Sequence, residues 1–250
     1  MLPLLLLALL AAAGLGGFLL GKKKSAPAAP SSPSSTAAAL PDAVSAPASA
    51  PPSAASPVES EAFAEGGWSL VLVNPWTPLP AGHSITLTQL KNGQAVDERC
   101  YPALQKMMDD CRAAGLEPLI CSSYRSQEKQ ERLFQQQMEP YLAQGYSEAD
   151  ARAAAGNAVA IPGTSEHQLG LALDIVDASH QLLDESQEQT AVQQWLMQNS
   201  WQYGFILRYP TDKSDVTGIM YEPWHYRYVG PTAAKEIHEQ SVCLEEYLAQ

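Results

Sequence analysis

The amino-acid sequence predicts an α+β domain over residues 67–250. Short apolar runs of strand length and longer segments with helical apolar spacing both occur in that range, and they lack the regular alternation of βαβ units. The first quarter of the chain has a different composition, and no internal repeat is visible. We therefore expect three parts: residues 1–21, residues 22–66 and the folded domain.

The charge balance argues against a nucleic-acid partner. The 250-residue chain has a net charge of -12, and Lys22, Lys23 and Lys24 form its one basic run. Proteins that bind polyanions normally carry a basic patch or stripe. The acidic balance says little about the fold.

Residues 1–21 form an apolar segment that is followed directly by the three lysines. A stretch of about 20 apolar residues can span a bilayer as a helix. A cleaved signal peptide has its positive charge before the apolar core. Here the lysines follow, which favours a retained membrane anchor, with a cleaved signal segment as the alternative. Lysines after a span usually mark the cytoplasmic side, so their position counts against placing the domain outside the cell.

Residues 22–66 are predicted to be a disordered linker, because 25–57 consist almost entirely of Ala, Pro and Ser. Such a segment buries too little apolar surface to offset the entropy of ordering. Proline-rich spacers extend about 3.1 Å per residue, so that residues 25–57 could reach about 100 Å at most.

The first half of the domain is predicted to contain two strands and three helices. Residues 69–74 and 116–121 are short apolar runs typical of strands. Residues 96–114 have helical apolar spacing, with Gly115 as the C-terminal cap. Ser126 can cap a helix through Gln137 or beyond, and Ser147 can cap another toward Asn157.

The second half begins with a predicted strand over 169–175. A helix over 187–201 follows, and then strands over 204–209 and 219–228. Pro231 is expected to open a last helix that runs to the end of the sequence.

The four cysteines are Cys100, Cys111, Cys121 and Cys243. None forms a Cys-x-x-Cys pair, which argues against a zinc ribbon or a thioredoxin-like site. Disulfides and small buried apolar side chains remain equal alternatives.

The residues that can carry chemistry include two imidazoles and a carboxylate: His167, Asp174 and His225. Three such ligands with an open fourth position form a catalytic zinc site. Zinc lowers the pKa of bound water to about 7, and hydrolysis then needs a general base, for which Glu222 is the candidate. Arg125 could stabilise an oxyanion or bind a substrate carboxylate.

The spacing of these residues sets a geometric condition. Seven positions separate His167 from Asp174 and three separate Glu222 from His225, so on straight strands each pair would face opposite sides. We therefore expect a turn after His167 and a bend or bulge near Pro223.

Three motifs stand out in the sequence: Ser-Tyr-Arg-Ser at 123–126, the Ser-x-His-x-x-Gly-x-Ala-x-Asp segment within 163–175 and Glu-Pro-Trp-His-Tyr at 222–226. Together they resemble the VanY-type D-alanyl-D-alanine carboxypeptidases of the M15 zinc peptidases. Their order and approximate separations match the family over about residues 69–230. The resemblance implies a small α+β domain with a central antiparallel sheet flanked by helices.

The resemblance also implies an activity: a zinc-dependent D,D-carboxypeptidase with one zinc per chain that removes the C-terminal D-alanine from peptidoglycan stem peptides. Metal-activated water is the expected nucleophile. The implied zinc ligands are His167, Asp174 and His225, with Glu222 as general base. The implied substrate contacts are Arg125, Gln130 and Ser165. Because this substrate lies outside the membrane, we expect an anchored monomer with its catalytic domain on the cell-wall side, or a secreted one if the N-terminal segment is cleaved.

The sequence motifs suggest three alternative functions. An L,D-carboxypeptidase or another peptidoglycan peptidase of the same family would share the metal motifs, and 138–157 could shape its pocket. Residues 126–129 match the Ser-x-x-Lys of serine peptidases, but the partner motifs are absent from the sequence. A non-catalytic zinc-containing wall-binding module would need neither Glu222 nor Arg125.

Overall fold

A computed structural model describes residues 67–250. The predicted anchor over 1–21 and the predicted linker over 22–66 lie outside the described residues. Within the described part, no helix has both the length and the apolar character that crossing a bilayer requires.

The centre of the domain is a four-stranded antiparallel sheet, which confirms the α+β prediction. Its strands are β3 (Pro118–Ser122), β4 (Ala172–Asp177), β5 (Phe205–Leu207) and β6 (His225–Tyr228). They lie in the order β3-β4-β6-β5, and every pairing is antiparallel. A register shift between Ile120 and Ser122 bends the end of β3.

The two faces of the sheet have different roles because side chains alternate along each strand. Leu173 and Ile175 of β4 and Tyr226 of β6 lie in the main apolar core. Helices α1 (Tyr101–Ala113) and α4 (Ala191–Asn199) supply the other side of that core. The alternate residues of the same strands carry the polar groups of the candidate site on the opposite face.

The predicted strand over 69–74 is wrong. Gly67–Ser69 is a 3₁₀ turn, and the following residues are irregular. The reason is that the carbonyl groups of Ser69 and Val71 both accept hydrogen bonds from the guanidinium of Arg227, at 2.9 Å. These backbone groups are satisfied by a buried side chain instead of a neighbouring strand.

The predicted helix over 96–114 begins five residues later, at Tyr101. Its expected first turn is part of a small hairpin of β1 (Leu87–Gln89) and β2 (Ala95–Asp97), which sequence reasoning missed. An Asn92–Gly93 pair in the connecting turn is the signal that could have found it.

Two predicted helices are confirmed at their capping residues. Helix α2 (Gln127–Ala143) begins where the hydroxyl of Ser126 accepts from the amide of Lys129. Helix α3 (Glu148–Gly156) begins where Ser147 accepts from the amide of Asp150. The two helices share a separate apolar cluster of Phe134, Met138, Ala151 and Ala155.

The C-terminal elements are shorter than predicted. The helix over 187–201 is α4 flanked by 3₁₀ turns. The short helix α5 (Ser214–Thr217) precedes the expected strand 219–228, whose first part is irregular and ends in a turn at 223–224, so that only β6 forms. The expected last helix is two helices, α6 (Pro231–Gln240) and α7 (Leu244–Leu248). They separate at Ser241, which has a φ of 54°.

All four cysteines are free in this structure. Cys100, Cys111 and Cys243 are buried, which favours the interpretation as small apolar side chains over the disulfide alternative.

Candidate active site

Three ligand-type side chains converge on the polar face of the sheet. Ligand atoms of His167, Asp174 and His225 all lie within 4.8 Å of one another, and all three residues are buried. His167 Nε2 lies 3.3 Å from Asp174 Oδ2, and His225 Nδ1 lies 3.2 Å from Asp174 Oδ1. The carboxylate thus lies between two imidazole nitrogens.

Strand register and one turn bring these residues together. Asp174 of β4 pairs directly with His225 of β6, which places both side chains on the same face. His167 lies on the 3₁₀ turn Glu166–Leu169, and Gly170 then reverses the chain into β4 with a φ of 73°. The turn expected after His167 is therefore present.

The hydrogen bonds of the imidazoles indicate which nitrogens face the centre. Nδ1 of His167 lies 2.9 Å from the carbonyl oxygen of Ser123, so this nitrogen carries the proton and Nε2 presents its lone pair to Asp174. In His225 the other ring nitrogen faces the centre: Nδ1 lies against Asp174, and Nε2 points away from it toward Glu166. Two nitrogen atoms and a carboxylate converging in this way fit the donor set of Zn²⁺.

Glu222 lies beside the cluster. Its Oε2 is 3.6 Å from Nδ1 of His225, and the residue is only 8% exposed. A bend at Pro223 brings it there, and the amide of Glu222 donates to the carbonyl of Tyr209. Burial raises the pKa of the Glu222 carboxyl to about 7.

Arg125 reaches the same centre from the loop after β3. Its Nη2 donates to Asp174 Oδ2 at 2.8 Å and its Nε donates to the Ser122 hydroxyl at 3.0 Å. Its Nη1 donates to Gln130 Oε1 at 3.5 Å, while Gln130 Nε2 donates to the carbonyl of Ala160. Gln130 is buried and holds its amide against the guanidinium.

Ser165 is buried two residues before His167, at the position that opens the 3₁₀ turn. The structure therefore brings His167, Asp174, His225, Glu222, Arg125 and Gln130 to one centre. Ser165 precedes the turn that carries His167, and among the described residues no side-chain hydrogen bond joins it to the cluster.

The electrostatics of the cluster follow from burial and from its neighbours. Burial and the nearby Arg125 lower the pKa of His167 to about 4. Burial alone would raise the pKa of Asp174, but His167, His225 and Arg125 hold it well below its ordinary value. Asp174 is therefore an anion between the two imidazoles.

Sequence reasoning missed a group of charged residues behind His225: Glu166, Arg208 and Arg227. The side chains of all three are fully buried. Burial alone would raise the pKa of Glu166, but the two guanidinium groups hold it below its ordinary value. The available signal was one Arg in each of two predicted strands, Arg208 in 204–209 and Arg227 in 219–228, because a buried cation needs a partner.

The site combines two buried histidines and a buried aspartate with a buried glutamate beside them. This arrangement is typical of a hydrolase that uses a single metal ion. Residues 93–231 match the family model described as VanY, D-alanyl-D-alanine carboxypeptidase. The chain belongs to this family, and it is a carboxypeptidase rather than a non-catalytic module.

One relative is the D-alanyl-D-alanine carboxypeptidase of Enterococcus faecalis, 49% identical over 185 residues that cover 74% of this chain and 67% of that protein. Two solved structures are also similar. A glutamate-to-alanine variant of the D,D-pentapeptidase VanY from a VanB-type resistance cassette, in complex with Zn(II), is 49% identical with a TM-score of 0.66 over 72% of this chain and 99% of that one. The structure of VanYB in complex with D-alanine-D-alanine is 48% identical to this chain, with a TM-score of 0.68. The match covers 73% of this chain and 98% of the VanYB chain.

Proposed function

We propose that this chain removes the C-terminal D-alanine from peptidoglycan stem peptides that end in D-Ala-D-Ala. Zinc is its cofactor, and the chain acts as a D,D-carboxypeptidase in keeping with its family. The observation that carries the proposal is the convergence of three ligand atoms within 4.8 Å beside the buried carboxylate of Glu222.

The proposed ligands of one zinc ion are His167 Nε2, the Asp174 carboxylate and His225 Nδ1. When bound, zinc acts as a Lewis acid that makes water a stronger nucleophile at neutral pH and polarises a carbonyl. The proposal is supported by the outward hydrogen bond of His167 to Ser123, which leaves Nε2 free to bind.

Glu222 is the proposed general base. Its carboxylate takes a proton from the attacking water and delivers it to the amine nitrogen of the departing D-alanine, so the proton balance of peptide hydrolysis closes. Its support is the 3.6 Å distance between Glu222 Oε2 and His225 Nδ1, one of the proposed zinc ligands.

Arg125, Gln130 and Ser165 are the proposed substrate contacts. The guanidinium of Arg125 lies against Asp174, where it can face either the scissile carbonyl or the terminal carboxylate. Gln130 supports this arrangement by accepting from Arg125 Nη1. Ser165 is proposed from its place in the family motif.

We also propose that the protein is a monomer anchored by residues 1–21, spaced from the membrane by 22–66, with its catalytic domain on the cell-wall side. The support is the location of the proposed substrate outside the bilayer. Protease treatment of intact spheroplasts tests this topology: the catalytic domain should be digested, and protection until the membrane is disrupted would contradict it.

The activity is tested with the full chain and two peptides, a pentapeptide ending in D-Ala-D-Ala and the tetrapeptide ending in one D-Ala. We expect release of one D-alanine from the pentapeptide, loss of this release with a chelator and its return with Zn²⁺. Release from the tetrapeptide alone would indicate an L,D-carboxypeptidase. Release from neither peptide by the zinc-loaded protein would contradict the proposal.

A further inference from the structure

A buried ion network lies directly behind His225, on the side away from Asp174. Glu166 Oε1 accepts from Arg208 Nε at 2.8 Å and from Arg227 Nη1 at 2.7 Å, and none of the three side chains is exposed. A buried ion network is weak evidence for stability, because apolar residues of similar volume often serve as well or better. The network therefore invites a functional explanation.

The two arginines are themselves fixed. Arg208 donates to both carboxylate oxygens of Glu245 on α7, at 2.7 and 2.9 Å. Arg227 donates to the carbonyl groups of Ser69 and Val71. With both partners held, the orientation of the Glu166 carboxylate is determined from both sides.

This orientation leaves one oxygen of Glu166 for another partner. Its Oε2 has no hydrogen bond to any described residue, and neither has His225 Nε2, although both atoms are buried. These two atoms lie 3.6 Å apart. A small movement of either side chain would turn this contact into a hydrogen bond.

The direction of that bond fixes the tautomer of His225. An ionised carboxylate only accepts, so Nε2 must be the nitrogen that carries the proton. The lone pair of a neutral His225 is then on Nδ1, which faces Asp174 at 3.2 Å. A metal-binding histidine whose other nitrogen donates to a carboxylate is a recurrent arrangement that orients the ring.

We propose that Glu166 is a positioning residue that holds His225 with Nδ1 toward the metal. Arg208 and Arg227 act through Glu166 by fixing its carboxylate. The two histidines thus bind through opposite nitrogens, His167 through Nε2 and His225 through Nδ1. This inference rests on the proposed metal ligands.

The first experiment determines the tautomers in the unmodified, zinc-loaded full chain. Long-range ¹H–¹⁵N correlation spectra of the five histidines identify which ring nitrogen carries the proton. His83→Gln, His180→Gln and His238→Gln assign three of the signals by their loss. We expect a protonated Nδ1 in His167 and a protonated Nε2 in His225. Zinc bound with a protonated Nδ1 in His225 would overturn the inference and leave the proposed function intact, whereas failure to bind zinc would overturn both.

The second experiment compares the zinc affinity of Glu166→Gln with that of a matched control, Glu245→Gln. Both substitutions remove a carboxylate that contacts Arg208, but Glu245 does not contact His225. Circular dichroism and thermal unfolding establish the folded fraction, and competition with a chromophoric chelator gives the dissociation constant. We expect an increase of about 10–100-fold for Glu166→Gln, the range typical of such outer partners. For the control we expect a lower Tm with a much smaller change in zinc affinity, because Arg208 and Arg227 both still donate to Glu166.

Equal weakening of zinc binding in both variants, or none in Glu166→Gln, would make the network purely structural and overturn the inference. If Glu166→Gln does not fold, the tautomers of the unmodified protein still decide the question.

Discussion

Replacing Gly170 by alanine tests how the turn between His167 and Asp174 is held. Gly170 has a φ of 73°, where an L-residue is disfavoured by about 1–2 kcal/mol. A Cβ at this position would lie 2.8 Å from Ile85 Cδ1 and 3.2 Å from the backbone nitrogen of Asp97. The Ile85 side chain can move, but the Asp97 amide donates to the Gly170 carbonyl at 2.9 Å and is held in place. Overpacking of this kind adds about 1–3 kcal/mol.

The matched control is Gly93→Ala, because Gly93 has a φ of 80° and no atom within 4 Å of an added Cβ. Urea unfolding of both variants with zinc present measures the difference. We expect Gly170→Ala to be the less stable by about 1–3 kcal/mol, which corresponds to about 2–4 °C in Tm per kcal/mol for a domain of this size. It should also bind zinc more weakly, because the turn sets the distance between two ligands. Equal stability of the two variants would refute the argument that close packing holds the turn.

The remaining predictions concern the metal centre and the thiols. Glu222→Gln should retain zinc in equilibrium dialysis and lose about 10²–10⁴-fold in kcat, and near-normal turnover would exclude the general-base role. His167→Ala should lose stoichiometric zinc in the same dialysis, and full retention would remove it from the ligand set. Arg125→Ala should keep zinc and lose about 10²–10³-fold in kcat, with an unchanged kcat as the contrary result. Chelation should lower the unfolding free energy by about 2.7 kcal/mol relative to zinc at 100 times its Kd, measured by urea unfolding, and no change would argue against binding to the folded state. Without reductant, four thiols per chain should react with a thiol reagent after denaturation, and two would reveal a disulfide.

The motif residues could be located from the sequence because the chemistry depends on residue type and order. Spacing alone left His167 and Asp174 on opposite faces of a straight strand, and it correctly demanded a turn between them. The spacing of residues in the sequence could not predict that Asp174 pairs with His225, because the register of β4 depends on its partner strand β6.

The outer partners of the histidines illustrate a second limit. Glu166 stands inside the quoted motif, but its role depends on Arg208 and Arg227, which lie more than 40 positions away. No local pattern encodes which buried charges will meet. For the same reason, residues 69–74 have the composition of a strand and yet serve as acceptors for Arg227, since tertiary contacts override local preference.

The ion network has a consequence for how the protein folds. Arg227 donates a hydrogen bond to Ser69, which is 158 positions away in the sequence. It also donates to Glu166, which is 61 positions away. Contacts this remote in the chain form only after large loops have closed, and a high contact order slows folding. We therefore expect the orientation of His225 to be among the last features to form, and high-affinity zinc uptake to lag behind the appearance of secondary structure during refolding.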